Sequence, residues 1–135
     1  MSGEEEVVRR LWESINERDY PRLAGAIAEH CEWVSVASGR VFRGPEAMVG
    51  GLRDFAAAFP DGRGEILNLV AAGETVVVEW RVSGTNTGPF DGREPTGKSF
   101  ERRGCSVAEV RGAKIVGYRD YFDRATLLEQ LGLAP

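Results

Sequence analysis

GAKIVGYRDYFDRATLLEQLGL, residues 112–133, changes its period at Asp123. Before Asp123 the side chains alternate. Val116, Tyr118, Asp120 and Phe122 share one face of a strand, with Ile115, Gly117, Arg119 and Tyr121 on the other. After it, Leu127, Leu128 and Leu131 recur at helical spacing. Asp123 is the expected N-cap of that helix and Gly132 its stop. A strand followed by a capped helix, with one carboxylate on an apolar strand face, frames the rest of the reading.

Working upstream, Lys98 to Val110, Thr75 to Gly84 and Ile66 to Ala71 read as further strands. Gly112-Ala113 and Gly73-Glu74 are hairpin turns, and residues 85–97 form an irregular loop. Before the PDGRG turn at 60–64 the pattern is mainly helical. Residues 4–17 carry Val7, Val8, Leu11, Trp12 and Ile15 on one face. A shorter helix follows Asp19, with Leu23, Ala24, Ile27 and Ala28 on its apolar side, and a third runs from Pro45 to about Phe59. Residues 31–37 alternate as a strand, and Val41 to Arg43 form a short one closed by Gly44. This order predicts a single α+β domain over 1–135. The strands are expected to form a curved antiparallel sheet, a cone wrapped around the N-terminal helices, with a pocket at its mouth. Neither face of Thr75 to Gly84 is plainly polar, which predicts a homodimer.

Composition narrows the function. The 135 residues carry 17 basic and 21 acidic side chains, a net charge of -4. The basic residues are scattered rather than gathered in a stripe, which argues against nucleic acid. No run approaches the roughly 20 apolar residues that span a bilayer, and the N-terminus lacks the pattern of a signal peptide, so a cytoplasmic location is expected. Cys31 and Cys105 are expected to be reduced, and His30 is the sole histidine, which excludes most zinc sites. Gly92, Gly97, Lys98 and Ser99 complete a GxxxxGK[ST] match, but a strand follows where a phosphate-binding loop needs a helix.

Asp120 is the leading candidate for chemistry. A carboxyl group among apolar side chains either finds partners or has its pKa raised, and a raised pKa suits proton transfer near neutrality. Pairing with an arginine is the structural alternative. Trp33 and Ser35 share a strand face, as do Glu79 and Arg81. Glu79 and Arg81 either line a cavity or form an exposed or interfacial charged patch. Tyr20, Tyr118 and Tyr121 are packing residues that could also offer phenolic hydrogen bonds, and His30 is a candidate base.

Four stretches, NERDYPRL (16–23), FPDGRGEI (59–66), GTNTGPFDGREPTGKSF (84–100) and residues 112–133, carry a resemblance to a known family. Together with the element order, they make the chain resemble SnoaL-like proteins of the nuclear-transport-factor-2-like superfamily. It is also similar to ketosteroid isomerases and limonene-type epoxide hydrolases. The resemblance implies a deep pocket and a dimer. It also implies that Asp120 is the acid/base of an intramolecular aldol closure or, in hydrolases, the group that protonates an epoxide oxygen. Trp33 and Ser35 stand where the hydrolases hold water with tyrosine and asparagine, and Asn86 stands where histidine is common.

The expected function is therefore an acid/base cyclase or isomerase acting on a hydrophobic carbonyl or polyketide-type substrate. Asp120 is its catalytic group, and Trp33, Ser35, Asn86, Tyr118, Phe122 and Tyr20 form the pocket. No metal or organic cofactor is needed. A non-catalytic ligand-binding or dimerisation module and an epoxide hydrolase are the alternatives.

Overall fold

A computed structural model describes residues 3–133; residues 1–2 and 134–135 lie outside it. Helix α1 (Gly3–Glu17) buries Val8, Leu11 and Trp12, the stripe expected from its spacing. The short α2 (Tyr20–Gly25) is capped by Asp19, whose side chain accepts from the Arg22 N–H. Strands β1 (Ile27–Ser35) and β2 (Arg40–Arg43) lead into α3 (Gly44–Ala58), with Pro45 in its first turn. Then come β3 (Arg63–Ala72), β4 (Thr75–Thr85), β5 (Ser99–Arg111), β6 (Lys114–Phe122) and α4 (Arg124–Gln130), capped by Asp123. Ile27 and Ala28 belong to β1 rather than to the second helix. Ile27 pairs with Ile115, and the Ile115 N–H donates to the Ala26 carbonyl, so sheet pairing claims the residues just after α2.

All six strands lie in one sheet, in the order β2-β1-β6-β5-β4-β3. The α+β class holds, but the expected antiparallel cone does not. The sheet is mixed and open, neither closed on itself nor strongly curled around the helices, with β2 and β3 as separate edges. The sheet is mixed because β1 runs parallel to β6, while the other neighbours are antiparallel. Side-chain alternation is the same in both kinds of strand, so it does not distinguish them.

Helices α1, α2 and α3 contribute Leu11, Trp12, Leu23, Met48 and Val49 to a core shared with Ile27, Trp33, Val76, Val78, Trp80, Ala108, Ile115 and Tyr118 of the sheet. A second cluster, Ala58, Phe59, Phe100, Leu127 and Leu131, fixes α4 and the end of α3 near β5. Two glycines make room for two indoles. A Cβ on Gly64 would stand 2.5 Å from the Trp12 ring, and one on Gly104 would stand 2.6 Å from the Trp80 ring. The opposite face of the sheet is open: Val70, Val77 and Tyr121 are exposed there, and Arg81 bridges Glu65 and Glu101 across three strands. Among the described residues no helix is long and apolar enough to cross a membrane.

Candidate active site

The register of the sheet assembles the site. Asp120 stands opposite Ser35 on β1 and Ser106 on β5, while Tyr118 stands opposite Trp33 and Ala108. Phe122 faces Gly104, which faces Trp80 on β4. These side chains therefore form successive rows on the helix-covered face. The rows floor a cavity of about 910 Å³, bounded above by residues of α1, α3 and the loop around Phe90.

The Asp120 carboxylate is held from both sides. Trp33 Nε1 donates to Oδ2 at 2.8 Å, and Ser106 Oγ donates to Oδ1 at 2.5 Å. Trp80 Nε1 donates in turn to Ser106 Oγ at 2.8 Å. Trp33 is kept in place by stacking on Tyr118, with ring centroids 3.8 Å apart. Tyr118 accepts a hydrogen bond from Trp12 Nε1 at 3.0 Å. Three indole N–H groups thus converge on a polar chain within an aromatic floor.

Protein surrounds Asp120 on most sides, and the carboxylate still borders the cavity. Burial raises its carboxyl above the ordinary range; the bonds from Ser106 and Trp33 and the positive charge of Arg102 act in the other direction. Tyr118 is also pushed up, by burial first and then by the neighbouring Asp120 charge, so it stays a neutral phenol. Cys31 lies in the core, its thiol pushed up to about 11 by burial and by Glu32. Among the described residues no three of His, Cys, Asp and Glu are grouped to hold a metal.

Asp120, Trp33, Ser35, Tyr118, Phe122 and Tyr20 all line this one cavity. Asn86 is a correction. It is fully buried in the loop after β4 and does not line the cavity. Its Nδ2 donates to the carbonyls of Gly88 (2.8 Å) and Ala58 (3.3 Å), and its Oδ1 accepts from the Thr96 N–H (2.9 Å) and hydroxyl (3.3 Å). Its hydrogen bonds all stay within the protein, three of the four to backbone groups, as expected for a buried amide. Glu79 and Arg81 lie on the opposite face in surface ion pairs or hydrogen bonds, Tyr121 is exposed there, and His30 is exposed.

Two site residues escaped the sequence reading, Ser106 and Arg102. The alternation of β5 carried the signal: Arg102, Gly104, Ser106, Ala108 and Val110 share one face, where a serine and an arginine are out of place among apolar neighbours. Arg102 stacks on Phe122, its guanidinium carbon 4.2 Å from the ring centroid, with Phe100 and Trp80 also within cation–π range.

The chain combines an open α+β sheet, helices over one face and an acidic group on the cavity floor. The chain belongs to the SnoaL-like polyketide cyclase family, which matches residues 5–131. Among solved structures, it is similar to IdmH of Streptomyces antibioticus, a candidate polyketide cyclase. The two are 27% identical over 96% of this chain and 99% of that one, with a TM-score of 0.83. A candidate SnoaL-like polyketide cyclase from Jannaschia sp. CCS1 superposes with a TM-score of 0.88 at 18% identity, covering 98% and 94% of the two chains. A protein of ketosteroid-isomerase-like fold from Catenulispora acidiphila, solved with trimethylamine, gives 0.83 at 22% identity over 96% and 94%. The last two are likenesses of fold alone. No curated protein matches the chain.

Proposed function

We propose that this protein is an acid/base enzyme, a cyclase or isomerase of a hydrophobic carbonyl compound of polyketide type, with Asp120 as its catalytic residue. The observation that supports this most directly is a carboxylate raised by burial, oriented by Trp33 and Ser106, and bordering a roomy aromatic cavity. Both hydrogen bonds fix the carboxylate in place, and the raised affinity for a proton suits a group that must take one and return it near neutrality.

In a cyclisation, ionised Asp120 removes a proton from carbon beside a carbonyl. The resulting enolate carbon attacks a second carbonyl of the same molecule and forms a carbon–carbon bond. The new alkoxide then recovers the proton from Asp120. In an isomerisation the proton returns to a different carbon. Neither route consumes water or an oxidant. Trp33, Tyr118, Phe122 and Tyr20 supply apolar walls, and Ser35, across from Asp120, offers a hydroxyl to a substrate oxygen.

The test is a screen of β-dicarbonyl and polyketide-type esters, followed by Asp120→Asn. Folding is checked by circular dichroism apart from turnover. A folded variant with activity reduced at least 100-fold is expected. Wild-type turnover in that variant refutes the assignment.

A further inference from the structure

Arg102 is a cation in a place that does not suit one. It sits on β5 beyond the end of β6, enclosed by Phe55, Trp80, Phe100 and Phe122, and it lines the same cavity as Asp120. Its Nε is buried without a hydrogen-bond partner. Asp120 acts on it through space, while the bonded donors on the two Asp120 oxygens are Trp33 and Ser106. Ring faces attract a guanidinium, but they do not replace the in-plane acceptor that the Nε–H loses on leaving water. A buried guanidinium is ordinarily retained with a carboxylate or phosphate against its fork.

The charges around the cavity point the same way. Five arginines border it (Arg18, Arg40, Arg63, Arg102 and Arg124) against three aspartates, although the whole chain is net negative. A positive cavity in an acidic protein attracts an anion and orients its approach.

We propose that Arg102 is a ligand-binding residue that receives a carboxylate group of an otherwise hydrophobic substrate. The carboxylate lies against the guanidinium edge, and the apolar body extends along the aromatic floor toward Asp120. This deepens the preceding reading by naming the substrate class, and it rests on the same cavity being the substrate site. It does not require that Asp120 perform catalysis.

The probes are 2-naphthoate and its neutral counterpart 2-naphthamide, titrated by calorimetry and by quenching of the three indoles that include cavity-lining Trp33 and Trp80. The wild-type protein is expected to favour the acid by at least tenfold. Arg102→Met keeps an unbranched apolar stem against Phe122 and is expected to abolish that preference, whereas Arg102→Lys retains part of it. Arg124→Gln, at the cavity rim, retains most of it. If Arg102→Met does not fold, Arg102→Gln takes its place. Equal binding of the two probes, binding of neither, or a preference that survives in the folded Arg102 variants overturns the proposal. Asp120→Asn separates the two readings. It is expected to keep the preference for the acid, and retained turnover in that variant would count against the acid/base assignment alone.

Discussion

Ser106 and Asp120 face each other across β5 and β6, and the serine hydroxyl donates to the carboxylate while accepting from Trp80. Removing that hydroxyl withdraws a hydrogen bond that favours the charged form of Asp120. Ser106→Ala is therefore expected to raise the Asp120 pKa further. The inflection of kcat/KM against pH assigned to Asp120 moves to higher pH, whichever direction of proton transfer it limits. The variant also leaves Trp80 Nε1 without its partner, at a cost of about 1–3 kcal/mol in a urea melt.

Asp120→Asn is expected to stabilise the fold at neutral pH while removing activity. The folded state binds the Asp120 proton more tightly than the unfolded chain does. Below the ordinary carboxyl value of about 3.9, both states are protonated and the group has no effect. As pH rises from there through the folded pKa, the unfolded chain ionises first and wild-type stability falls. The asparagine variant lacks that loss. Urea melts at pH 4 and pH 8 are expected to show its advantage growing with pH, and an advantage confined to pH 4 would contradict the burial assigned to Asp120.

Gly104 has no room for a side chain. A Cβ there would lie 2.5 Å from the Tyr121 carbonyl oxygen and 2.6 Å from the Trp80 ring. Gly104→Ala is expected to destabilise by about 1–3 kcal/mol. Because the displaced indole holds Ser106, activity is expected to fall under conditions where the variant remains folded. Circular dichroism and turnover on the same sample separate the two effects.

Asn86→Ala is expected to behave as a folding mutation rather than a binding one. It leaves the Gly88 and Ala58 carbonyls and the Thr96 N–H without the amide that joins them. A loss of about 1–3 kcal/mol and faster proteolysis within residues 86–98 are expected, with ligand affinity unchanged in the folded fraction.

Much of this arrangement was readable from local pattern. The Asp123 cap, the turns at Gly73 and Gly112, and the Tyr118–Asp120–Phe122 face follow from short-range chemistry and appear in place. The parallel alignment of β1 with β6 was not legible, because both directions of pairing use the same alternation. Asn86 was misplaced for a related reason. A polar residue in a glycine-rich loop satisfies the loop's own backbone as readily as a ligand, and the sequence shows no difference. Arg102 and Ser106 were visible in the alternation of β5. Their importance depends on Phe122, Trp80 and Asp120, which come from other strands.

Asn16 and Gly64 carry a consequence of a different kind. The Asn16 side chain accepts from the Gly64 N–H and donates to its carbonyl, both at 2.8 Å, with Trp12 laid over the same glycine. Gly64 belongs to β3, one of the two edges that an open sheet leaves available to other chains. The amide imitates one rung of a neighbouring strand and occupies the outward backbone groups at that position. An incoming strand therefore meets a blocked rung on β3, while β2, the other edge, offers only four residues. The helix that covers the cavity also closes the Gly64 rung of the β3 edge.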